Sequence, residues 1–177
     1  ARRTPVLLLV IFCFSETAAT EIHTDVTTRL HWLEAALPDA NPERRAAALA
    51  VLPSLTEVSR TSLLCGRLVT GDQAVERAGH AELTTQAGKI TARLFHKRGV
   101  DTTAAGWSLS HDVGEALDDP HVGLVTVVLN TIDDALDRSD PGGTRWTADA
   151  VKHLEPLLAR AANAGRTVDL PTAVGFC

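Results

Sequence analysis

The sequence contains no methionine, three lysines (Lys89, Lys97, Lys152) and three cysteines among 177 residues. Without a methionine the chain lacks a start codon of its own, so we expect a fragment of a longer reading frame. Cys13, Cys65 and Cys177 are odd in number and far apart. That argues against a disulfide framework and for a reducing, cytoplasmic setting. No two are close enough to suggest a zinc-ligand pair. A net charge of −5 supplies no basic surface for nucleic acid or an anionic membrane. There is no internal repeat, no low-complexity run, no glycine-rich phosphate loop and no heptad pattern. The scarcity of lysine beside abundant Ala and Thr suggests a GC-rich bacterial genome.

What is present suits one domain with a real core. A chain of this length buries roughly 70% of its unfolded surface, and 45% hydrophobic with 22% charged residues is ordinary for a globular protein. Arg2 and Arg3, the apolar run Val6–Phe14 and the small residues through Ala19 fit a secretory signal peptide. The same run, too short to span a bilayer as a helix, fits equally a buried strand over Pro5–Cys13. Glu21–Leu37 has helical spacing up to Pro38, with His23, His31 and Trp32 on or beside it, and Arg44–Leu52 is helix or strand. Gly71–Gly88 is polar, with a short helix expected at Gln73–Ala78. Lys89–Lys97 reads as strand or helix end, Gly99–Ser110 as loop and His111–Asp118 as helix. Trp107 and Trp146 read as core or rim anchors. Thr147–Ala164 has an amphipathic helical period with Gly165 as its C-cap, and a strand is expected from Thr167 to Leu170. Alternating strands and helices predict an α/β fold with a parallel sheet.

Two stretches carry the candidate chemistry. Val122–Leu129 is nearly unbroken apolar sequence rich in β-branched residues, which predicts a strand buried on both faces. Acidic residues follow at once, and on a helix Asp133 and Asp137 stand four apart on one face. Open α/β sheets place their sites at the ends of such strands, where paired carboxylates want a cation. The same residues also suit an acid-rich helix N-terminus with no ligand. In Pro53–Gly66, Ser54, Thr56, Ser59, Thr61 and Ser62 crowd together. They offer a hydroxyl nucleophile at a helix N-terminus, or a capping box from Ser54 or Thr56 with Glu57.

Leu52–Leu68 (LPSLTEVSRTSLLCGRL) and Val127–Val168, together with LFHK at Leu94–Lys97, resemble the PglZ family. PglZ is the alkaline-phosphatase-superfamily component of BREX phage-defence systems, and the likeness is to its type 2 form. The resemblance runs loosely from Pro5 to Val168. It implies a three-layer, alkaline-phosphatase-like parallel sheet with flanking helices over residues 5–170, incomplete here, and a divergent tail at 171–177. It further implies Thr56 as the catalytic residue attacking phosphorus, Asp133 and Asp137 as carboxylate ligands of one divalent metal (zinc or manganese), a phosphate-ester or nucleotide substrate, and other BREX proteins as partners. It favours the strand over the signal peptide at the N-terminus, with no membrane association.

Two departures temper that expectation. The family's first strand ends in Asp-Gly, where this chain has Phe12 and Cys13, and its last strand runs into Asp-His-Gly, where this chain continues Asp169-Leu170-Pro171. We therefore expect a truncated or damaged metal-dependent hydrolase, inactive as it stands. The alternatives are a non-catalytic scaffolding pseudoenzyme of the same defence complex and a small secreted helical protein. We expect Thr56, Asp133 and Asp137 to converge at the C-terminal edge of the sheet, with Phe12 ending its strand beside them.

Overall fold

The computed structural model describes residues 7–14, 55–100, 108–131, 134, 147–169 and 172–174. In chain order the elements are β1 (Leu7–Phe14), α1 (Thr56–Cys65), α2 (Gln73–Gln86), β2 (Ala92–Phe95), the single turn α3 (Lys97–Val100), α4 (His111–Asp118), β3 (Leu124–Leu129), α5 (Leu154–Asn163), β4 (Thr167–Asp169) and β5 (Thr172–Val174). A 3-10 turn at Ala148–Ala150 precedes α5. The expected helix in Glu21–Leu37, the Arg44–Leu52 segment, and Trp107 and Trp146 lie outside the described residues.

The fold is α/β around a parallel sheet. The strands run in the order β2-β3-β1-β4, with β5 also on β1, and every described pairing is parallel. β1 pairs with β3 from Leu7↔Leu124 to Phe12↔Leu129, so the two apolar runs lie side by side as expected. β4 takes the opposite edge of β1 at Leu7–Leu9, and β5 follows on that edge at Phe12–Phe14. Both keep the same register offset. The intervening sequence is Leu170-Pro171, and proline has no amide to give to a ladder.

β3 is buried from Val125 to Leu129, and its alternation sorts the helices onto two faces. Val125, Val127 and Leu129 join Val113 and Leu117 of α4 and Leu154, Leu157, Leu158 and Ala161 of α5 in the main cluster. Val128, between them, packs with Leu64 of α1 and the half-buried Leu94 of β2. Burying a leucine fully contributes roughly 1.5–3 kcal/mol, so the four fully buried α5 side chains make that helix the main cover of its face.

Three expectations change. The helix expected at Gln73–Ala78 extends to Gln86, because its inward face is Glu76, Gly79, His80 and Thr84 rather than apolar residues. The helix expected over Thr147–Ala164 is confined to Leu154–Asn163. Pro156 explains this: within a first turn its missing amide costs nothing, whereas deep inside a longer helix it would clash. His153, with φ of 70°, makes the break. The segment expected as loop from Gly99 begins inside α3, since Lys97–Val100 is helical. Gly165 does close α5, with φ of 69°, while Arg166 N donates to Ala161 O.

Candidate functional site

Thr56 is the first residue of α1 and exposed. The N-cap is Leu55 rather than Ser54 or Thr56, and among the described residues no side chain caps the helix. The first turn therefore keeps its backbone donors facing outward, where partial positive charge accumulates. They open on a cleft of about 670 Å³ lined by Leu55, Thr56, Glu57, Arg60, Asp72 and Gln73 among others. Glu57 and Asp72 make its rim acidic, so an anion would enter more readily beside a metal cation than alone.

Behind the cleft lies a polar cluster that the sequence did not disclose. Glu76 of α2 is 1% exposed. Its Oε1 accepts from Arg60 Nε at 2.8 Å and Thr61 Oγ1 at 3.2 Å, and its Oε2 meets His96 Nε2 at 2.5 Å. Burial alone would raise this carboxyl, but the hydrogen bonds and charges of His96 and Arg60 outweigh it and hold the group below its ordinary value. His80, one turn on, bonds through Nε2 to Thr126 Oγ1 of β3 at 2.9 Å. Burial, then the nearby His96, pushes its imidazole below the usual value. Thr61 also donates to Gly71 O at 3.1 Å and Ser62 to Val69 O at 3.0 Å, which folds the 66–71 loop back over α1. Gly79 lets α2 approach closely, since a Cβ there would lie 2.1 Å from Cys65 Sγ. Cys65 is buried, and burial pushes its thiol up from the ordinary value, so it is no candidate nucleophile.

Among the described residues two buried polar atoms have no hydrogen-bond partner: His96 Nδ1 and Asn130 Oδ1. Both residues follow the last residue of a strand, His96 after β2 and Asn130 after β3, and β2 and β3 are parallel neighbours. They stand at the C-terminal edge of the sheet, on the side where α/β folds take ligands. Lys97 pairs with Asp134 at the same edge.

Of the residues expected from sequence, Thr56 is placed at a helix N-terminus, as expected. Asp133 and Asp137 lie outside the described residues. Phe12 does not end its strand: β1 continues to Phe14 because β5 extends the ladder over Phe12–Phe14. Glu76 and His96 were missed. Their partners lie 15–20 positions away in sequence, and the only local sign was a helix whose buried face is polar. Among the described residues no group of three or more His, Cys, Asp or Glu is placed to hold a metal ion, and no helix is long and apolar enough to cross a membrane. Comparison with protein-family models, curated proteins and solved structures finds no match.

Proposed function

We propose that this chain is a PglZ-type phosphohydrolase domain of a bacterial phage-defence system, with the three-layer architecture of the alkaline-phosphatase superfamily and a weakened metal site. The observation that carries the reading is strand order. The family draws its metal ligands from the ends of three strands, which here correspond to β1, β3 and β4. The sheet sets β1 between β3 and β4, so those three ends are contiguous. Helices on both faces and the uncapped Thr56 at the start of α1 agree with it.

In this reading Thr56 is the nucleophile, held at a helix N-terminus whose backbone donors favour an anionic substrate. Asp133 and Asp137, four positions apart in sequence, hold a divalent cation, zinc or manganese. That ion supplies Lewis acidity, lowering the alcohol's pKa and offsetting charge on the phosphoryl oxygens. The residues themselves fit a cation: two buried acceptors at this edge, His96 Nδ1 and Asn130 Oδ1, have no donor. Phe12 in place of the family's Asp leaves the ion with too few ligands for turnover, since catalytic sites use three protein groups or more.

The test is zinc titration of the 177-residue chain followed by assay on a phosphodiester and a phosphomonoester. We expect weak zinc binding, lost in Asp133→Asn/Asp137→Asn and tightened in Phe12→Asp, with no turnover in any of them. Metal-dependent turnover abolished by Thr56→Ala would overturn the inactivity while supporting the site. Zinc binding indifferent to both sets of substitutions would overturn the site. Three exposed leucines on and beside α1 (Leu55, Leu63 and Leu68) favour the second reading, a non-catalytic scaffold docking other BREX proteins. Co-elution with those proteins, lost in Leu63→Lys/Leu68→Lys, together with no zinc binding, would select it.

A further inference from the structure

We propose that His96 is itself a metal ligand, binding through Nδ1, with Asn130 Oδ1 as a companion oxygen and Glu76 as the group that orients the ring. This rests on the metal-dependent reading above and gives His96, Asn130 and Glu76 roles that the family resemblance does not assign.

Three observations carry it. First, the tautomer is fixed. Glu76 is a carboxylate that only accepts, so a neutral His96 must donate from Nε2 and keep its lone pair on Nδ1. Metal-binding histidines almost always donate their other ring N–H to a carboxylate or carbonyl in this way. Second, Glu76 cannot turn away, because Arg60 Nε and Thr61 Oγ1 hold its other oxygen. Third, the lone pair points at nothing. His96 is 4% exposed, and its Nδ1 makes no hydrogen bond. A buried polar group left without a partner is costly, and a site that bears the cost invites a ligand.

Asn130 shares the location and the deficit. Thr126 and Val128 face α1 and α2, through His80 and Leu64, and alternation sets Asn130 toward the same face as His96. Its backbone carbonyl accepts from Asp134 N at 2.9 Å, while its side-chain Oδ1 is unengaged. The imidazole nitrogen is a ligand type that a borderline divalent ion such as zinc takes, and the amide oxygen is a neutral acceptor beside it.

The experiment is a long-range proton–nitrogen NMR spectrum of the nitrogen-15-labelled chain during zinc titration. We expect the His96 Nδ1 resonance to move on zinc addition while Nε2 keeps its proton, and the shift at a given zinc concentration to be smaller in Asn130→Ala. We expect Glu76→Gln, where folded, to weaken zinc binding 10–100-fold. Zinc binding that depends on Asp133 and Asp137 but leaves His96 Nδ1 unmoved overturns the inference and spares the proposed function. A His96 shift that persists in Asp133→Asn/Asp137→Asn supports the inference and overturns the carboxylate pair. A chain that takes up no zinc at all overturns both.

Discussion

Replacing Glu76 by glutamine tests whether the buried cluster holds α1 against the sheet. The substitution conserves shape and removes one negative charge. Arg60, with a side chain 9% exposed, then loses its ion-pair partner, and His96 loses a charged acceptor. Breaking a buried pair by removing one member costs roughly 3–5 kcal/mol, because the remaining charge stays desolvated. A domain holds about 5–15 kcal/mol in all, so Glu76→Gln should remove a large share of the stability. For a chain of this size each kcal/mol corresponds to roughly 2–4 °C in melting temperature, which puts the fall at roughly 6–20 °C. Urea unfolding followed by circular dichroism would measure it. Arg60→Met in the Glu76→Gln background should restore part of the loss, since the orphaned charge is then gone. A cost below about 1 kcal/mol, with no coupling to Arg60→Met, would refute the claim that these charges are truly desolvated.

Leu158→Ala should destabilise by roughly 2–5 kcal/mol, because the side chain is fully buried in the main cluster; chemical denaturation checks it. Arg166 donates to the carbonyls of Ala116, Leu117, Asp119 and Val122, closing the C-terminal end of α4. Arg166→Met should therefore cost at least about 3 kcal/mol by stranding several buried acceptors, with Arg166→Lys recovering little. Acidification should also destabilise the fold. His80 titrates near 6.5 when unfolded and lower when folded, so the unfolded state binds the proton first and stability falls as pH drops below 6.5. Thermal melts at stepped pH should show that slope reduced in His80→Gln.

The legible parts of this molecule were those written in apolar periodicity. Val122–Leu129 announced a buried strand, Val6–Phe14 fitted a strand or a signal peptide equally until the family resemblance favoured the strand, and Leu154, Leu157, Leu158 and Ala161 announced α5. Thr56 was legible too, because a proline followed by clustered hydroxyls marks a helix start. α2 was legible only over Gln73–Ala78 and not in its extent to Gln86, since its buried face is Glu76, Gly79, His80 and Thr84, residues that read as surface until their partners are known. His96 was hidden for the same reason. Its role depends on Glu76, twenty positions earlier, and only the tertiary fold joins them. Pro156 was a local signal overlooked beneath a strong helical period.

The pairing of β1 has a consequence in time. Leu7 finds its β3 partner only at Leu124 and its β4 partner only at Thr167. At about 5–20 residues per second, a ribosome needs roughly 6–25 s to make the 117 positions between Leu7 and Leu124. Throughout that interval the apolar Leu7–Phe14 segment has none of its described partners β3, β4 and β5, and its hydrogen bonds to them are unmade. Closing so long a loop is slow as well as late. Nascent chains of this protein therefore depend on whatever shelters that segment, and yield in expression should respond more to chaperone supply than to the stability of the finished fold.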